Sequence, residues 1–261
     1  GRIPTLLCRR RSAGGIADAG GALGLPMETP PEETQSPAAD ERGIIATLRD
    51  PITIVLIVSS ALLVIVYYHG PDIRFLPDWA QMARLNWFGL NFICLFIVPW
   101  ILAKYVLKRS LRDLGLRAGD WRLQLKFGAL FGGIVIPAIL IASRMPGFQF
   151  YYGRYTWAYD NLPLFIIFMA GWALYFFAWE FFFRGFLLQV LGERFGPVAI
   201  VLQTLPFVMM HFGKPETETW SAIIAGMALG WWAWRTKSFI GPWVLHWLSS
   251  AVMIVAVLWW P

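Results

Sequence analysis

Glu180, Arg184, His211 and His246 stand out because each is an ionisable group set inside a long apolar stretch. Hydrocarbon solvates charge poorly, so such residues inside a membrane segment mark a working site with partners by default. Glu180 and Arg184 are four residues apart and share one helix face, within reach of each other. A turn at Gly196-Pro197 follows them. Glu180 lies sixteen residues before Gly196 and His211 fifteen after it. If the two segments form a helical hairpin, both side chains return to nearly the same depth, roughly 23 Å from the turn at about 1.5 Å per residue. His246 is eight residues beyond Ser238, and Ser250 follows it by one helical turn on the same face.

One carboxylate and two imidazoles in a dry pocket can hydrolyse an amide. A water held by Glu180 and His211 loses its proton to the carboxylate as it attacks, and His246, with Ser250, donates to the oxyanion that forms. The same three residues offer zinc a three-ligand set with an open fourth position, although the spacing is not HExxH. Plainer readings stand beside these. Glu180 and Arg184 also read as an ion pair that only fixes helix position, and each histidine as a hydrogen-bonded structural one.

The elements that position these residues are membrane helices. Of 261 residues 57% are apolar and 15% charged, against about 25% charged in a soluble domain. Fifteen tryptophans suit a membrane–water interface. Apolar runs of spanning length fall near 52–68, 87–107, 127–143, 162–190, 196–212, 219–235 and 239–260. The fold class expected is therefore all-α, a polytopic bundle of about seven to eight transmembrane helices. The run 162–190 exceeds one straight crossing, so it must tilt, kink near Gly171 or project beyond the bilayer. Gly226 and Gly230 form a GxxxG suited to close helix packing, and Trp231, Trp232 and Trp234 read as interface anchors. Residues 109–126 carry leucines among basic residues and suit an amphipathic piece on the membrane surface.

Basic residues concentrate between the second and third spans, before the first span and at 235–237. With seven spans these fall on one side, which places the N-terminus in the cytoplasm. The net charge of +6 is thus assigned to orientation, and no nucleic-acid partner is expected. Residues 1–50 are rich in Gly, Ala, Pro, Ser, Arg and acids, and read as a disordered cytosolic extension before an integral membrane domain at 51–261. Residues 1–26 precede Met27 and read as upstream sequence; no apolar run of signal-peptide length follows Arg9-Arg10-Arg11. Cys8 and Cys94 give no disulfide framework.

Three short stretches carry a family resemblance: Trp179-Glu-Phe-Phe-Phe-Arg184, Phe207-Val-Met-Met-His211 and His246-Trp-Leu-Ser-Ser250. In order and spacing they resemble EExxxR, FxxxH and Hxxx(N/D) of the CPBP family of intramembrane endopeptidases, also called the type II CaaX prenyl endopeptidase or Abi family. The resemblance covers roughly residues 160–255. It implies a glutamate-activated water attacking a peptide bond, with Glu180, His211 and His246 catalytic and Arg184, Ser250 and Phe207 supporting them. It implies membrane lipid and a peptide or membrane-protein substrate as partners, no cofactor, and a bacterial inner-membrane setting. Trp179 stands where the family has its first glutamate, the one given the catalytic role in eukaryotic relatives, and Ser250 stands at the Asn/Asp position. A non-catalytic membrane scaffold or binding protein of the same family is the alternative, and a carrier that titrates Glu180 is a third.

Overall fold

The computed structural model describes residues 37–69, 80–155 and 162–259. The chain divides into two units, Gly1–Arg42 and Gly43–Pro261. Of the first, only residues 37–42 are described, within helix α1 (Pro37–Arg49). Part of the expected disordered extension is therefore helical, and its residues 1–36, with Cys8, lie outside the described residues.

The second unit is helical, with no strand among the described residues. Helix α2 (Pro51–His69) begins at Asp50, whose Oδ1 accepts the amides of Ile52 and Thr53 at 2.9 and 3.2 Å. Helix α3 (Ala80–Phe92) runs through a π-helical turn, Ile93–Ile97, into α4 (Val98–Tyr105). Helix α5 (Trp121–Ala142) starts at Asp120, which caps the amides of Arg122 and Leu123, six residues earlier than its apolar run suggests. A short α6 (Pro146–Tyr152) leads to α7 (Leu162–Glu180), which continues through a π-helical segment, Phe181–Leu187, into α8 (Leu188–Phe195). Gly196, at φ +56°, opens the reversal into α9 (Ala199–Met209). Helices α10 (Glu216–Thr236) and α11 (Ile240–Trp259) complete the bundle. Among the described residues, five stretches are long and apolar enough to cross a membrane: Pro51–Tyr68, Asn86–Tyr105, Trp121–Ala142, Leu162–Met209 and Ile240–Trp259. The fourth contains the Gly196 reversal.

The long 162–190 run does not break at Gly171. That glycine lies inside regular α7 and admits Phe88, whose ring carbons would stand 2.6 Å from a Cβ there. The helix instead continues past the start of α11 and runs beside the end of α10, where Trp234 would stand 2.5 Å from a Cβ at Gly192. Gly185 sits level with Leu114 and Phe239, their nearest atoms 2.7 and 3.3 Å from where its Cβ would be. Ten residues later the chain reaches Phe195, on the order of 15 Å farther along the helix. The α8–α9 tip is tied down by ion pairs, Glu193 with Arg109 and Arg194 with Asp50.

The Asp50 carboxyl is pushed up by partial desolvation. The Thr53 and Ile52 amides and the Arg194 guanidinium outweigh this and hold its pKa below the ordinary carboxylate value. A depressed folded-state pKa contributes stability that is fully present above the unfolded pKa and is lost as pH falls through the folded one. Acidification through about pH 4 and below is therefore expected to lower the hydrogen-exchange protection factors of the Ile52 and Thr53 amides, taken against the intrinsic rate at each pH. The Asp50→Asn variant should show no such step.

Two other expectations are corrected. Residues 107–120 form no amphipathic surface helix. They make turns that dock on the α10–α11 connection: the Phe239 amide donates to the Gly115 carbonyl, Arg117 Nε donates to the Lys237 carbonyl at 2.9 Å, and Leu114 is buried. Trp232 is no interface anchor. It is 1% exposed, and its Nε1 donates to Gln124 Oε1 at 2.6 Å. An indole with its N–H satisfied is a large apolar group and packs in the core.

Gly226 and Gly230 pack α10 on α9. A Cβ at 226 would lie 2.7 Å from Thr204 Cγ2, and one at 230 would lie 2.7 Å from Gln203 Nε2. Buried Gln203 donates across the seam to the Gly226 carbonyl at 3.0 Å. Gly226→Val is expected to force the helices apart and cost about 1–3 kcal/mol, read as a lowered unfolding midpoint in detergent.

Candidate functional site

Helix α11 holds α7 through one face. Trp243 Nε1 donates to the Ala173 carbonyl at 2.9 Å, Trp172 Nε1 donates to Ser250 Oγ at 2.9 Å, and His246 Nδ1 lies 2.6 Å from Glu180 Oε1. Residues 243, 246 and 250 follow the three- and four-residue spacing that aligns side chains on a helix. Arg184 Nη1 donates to the same Glu180 Oε1 at 3.1 Å. Glu180 and Arg184 are both 0% exposed, whereas the His246 side chain is 16% exposed. Histidine 246 is therefore the open edge of a closed carboxylate–guanidinium–imidazole cluster.

One oxygen of Glu180 takes both partners. The other, Oε2, is buried without a hydrogen-bond partner among the described residues, as are Arg184 Nε and Nη2. A buried polar atom without a partner costs stability. The guanidinium carbon stands 4.0 Å from the Phe207 ring centroid, and the aromatic face supplies part of the charge stabilisation that water would otherwise give. Phe207 thus supports the ion pair from below.

His211 does not lie within a helix. It follows the end of α9 at Met209, in a turn. Its Nδ1–H donates to the Phe207 carbonyl at 2.7 Å, and Thr219 Oγ1 donates to its own carbonyl at 2.9 Å. With Nδ1 committed, Nε2 is the ring atom left to act. Both imidazoles face Phe207, the ring centroids 4.6 Å away for His211 and 5.9 Å for His246. Trp179 stands against His211 at 6.1 Å, buried, its own Nε1 unpartnered among the described residues. The indole fills the space beside His211.

The residues the sequence reading passed over are Trp172 and Phe176. Phe176 packs on His246 at 4.3 Å, and Trp172 holds the Ser250 hydroxyl. Both precede Glu180 at intervals of four on one face of α7, which is the signal that would have found them. Among the described residues no group of three or more His, Cys, Asp or Glu side chains is placed to hold a metal ion. His246 Nδ1 and His211 Nδ1 are each turned to another partner. Cys94 is a buried free thiol.

Residues 161–252 match the family described as Type II CAAX prenyl endopeptidase Rce1-like. No curated protein and no solved structure matches the chain. The matched stretch runs from the start of α7 through Ser250, and so contains Glu180, Arg184, Phe207, His211 and His246. Over these residues, about a third of its length, the chain is similar to the CaaX-type intramembrane proteases of that family.

Proposed function

We propose that this domain is an intramembrane peptidase in which Glu180 activates water. The observation that carries the reading is the 2.6 Å contact of His246 with a Glu180 oxygen that Arg184 also holds, while Oε2 has no partner among the described residues. A water on Oε2 attacks the scissile carbonyl carbon; the O–C bond forms as its proton passes to Glu180 and the carbonyl electrons move to oxygen. As Glu180 takes that proton, His246, held to Oε1 through Nδ1, supports the oxyanion from Nε2. His211 Nε2, with Nδ1 tied to Phe207, orients the water. Collapse expels the amine, which takes the proton from Glu180. Ser250, fixed by Trp172, lends its hydroxyl to the same oxygen.

In this reading the chain crosses the membrane seven times. Contacts gather Asp50, the 107–120 turns, the α8–α9 tip and the α10–α11 connection at one end. At the other, Tyr152 after α5 meets Glu218 at the start of α10. The basic end faces the cytoplasm, in a bacterial-type inner membrane.

The test uses protein reconstituted in bilayers with single-span membrane peptides as substrate and mass-spectrometric readout of products. Wild type should cleave, and His246→Gln should cleave about 10²–10³-fold more slowly, the usual effect of losing an oxyanion donor. A strong zinc chelator should leave the wild-type rate intact. Equal rates in both proteins would remove His246 from the mechanism. A second reading, a scaffold without catalysis, is favoured by Trp179 beside His211, and an absence of any cleavage by wild type would select it.

A further inference from the structure

We propose that the recess between α5 and α11 binds one anionic phospholipid, with an acyl chain in the recess and the headgroup phosphate on Arg122 and Lys126. The recess has a volume of about 590 Å³, within the roughly 300–1,000 Å³ of small-ligand sites. Its walls are Trp121, Leu125 and Ala129 of α5 and Gly241, Val244 and Leu248 of α11. The polar group in its floor is already satisfied, because Gln124 accepts from Trp232 and donates to the Ala118 carbonyl at 3.2 Å. An occupant therefore meets hydrocarbon-like walls and no unmet polar demand, which fits an alkyl chain.

Two basic residues of α5 are chain neighbours of recess-lining residues, Arg122 of Trp121 and Lys126 of Leu125. The Arg122 guanidinium lies 5.6 Å from the centroid of the Trp121 ring that lines the recess. Lys126 follows one turn later, on the face that also holds Ala129. Both cations are exposed, and no ion pair engages either among the described residues. The nearest acid in sequence, Asp120, is spent on the α5 amides. Two like charges four residues apart on a helix repel each other, and an anion between them relieves that repulsion. Basic pockets between membrane helices bind anionic headgroups for this reason.

The site is distinct from the candidate active site. Residues 241, 244, 245 and 248 of α11 line the recess, while 243, 246 and 250 hold α7. An occupant thus lies behind α11 and away from Glu180, which argues against a substrate chain. The proposal stands without the peptidase reading.

The test is native mass spectrometry of the purified full chain in detergent, titrated separately with phosphatidylglycerol and phosphatidylcholine. Wild type should retain one phosphatidylglycerol and little phosphatidylcholine. The R122Q/K126Q variant should lose phosphatidylglycerol affinity by about tenfold or more, and Ala129→Leu should reduce binding by filling the recess. Equal retention of the two lipids by wild type, or unchanged phosphatidylglycerol affinity in R122Q/K126Q, would overturn the proposal. So would displacement of the lipid by a farnesylated peptide, which would make the recess a substrate site. The two cations are exposed, so R122Q/K126Q decides the matter even if Ala129→Leu fails to fold.

Discussion

Glu180→Gln is expected to lower the rate of peptide cleavage by about 10²–10⁴-fold, the range for loss of a general base. Glutamine keeps the length and shape of the side chain. Its carbonyl oxygen still accepts from Arg184 and His246, the two groups that lie 3.1 and 2.6 Å from Glu180 Oε1. What it cannot do is take a proton from water. The measurement is the initial cleavage rate in bilayers, beside far-ultraviolet circular dichroism to establish that the helices persist. KM should change far less than kcat, because Glu180 is fully buried and meets the substrate through the attacking water. Unchanged cleavage would end the glutamate-activated reading. A scaffold would retain its binding with the same substitution, so cleavage and partner capture measured together separate the two.

Much of this arrangement is legible in the residues because charge in hydrocarbon leaves few options. The four-residue interval between Glu180 and Arg184 becomes a direct ion pair. The run 162–190, too long for one straight crossing, continues as helix past the level of Phe239. The glycine pair at 226 and 230 packs as small residues do. Other features were hidden because they are set by tertiary contact. Nothing in Phe181–Leu187 announces a π-helical turn, which forms where Gly185 meets the Leu114 carbonyl. A tryptophan suits an interface or a core equally well, and only the Gln124 acceptor, 108 residues away, puts Trp232 inside. The leucines of 109–126 suited a surface helix, yet Gly115 and Gly119 take positive φ and turn the chain onto Phe239 instead. The place of Trp179 beside His211 is set by tertiary packing across 32 residues of chain, which no local pattern carries.

Arg184→Met should be among the most damaging single substitutions to stability, and Glu180→Gln should reverse most of the damage. Removing one partner of a buried ion pair costs about 3–5 kcal/mol, because the other charge is left without compensation. Here that charge would be the Glu180 carboxylate, 0% exposed, with His246 as its one remaining partner among the described residues. The lost contact of the guanidinium with Phe207 adds a smaller share. Neutralising both members removes the stranded charge, and a methionine fills the space of the arginine stem. The double variant should therefore unfold close to wild type, giving a coupling energy of about 0.5–3 kcal/mol or more in a double-mutant cycle. The decisive comparison sets stability against chemistry. The double variant should be stable and inactive, which separates Arg184 as the group that makes a buried carboxylate tolerable from Glu180 as the group that uses it. If Arg184→Met alone unfolds no earlier than wild type, Glu180 is not held as a charge in the folded protein. The water-activation step would then lack its base.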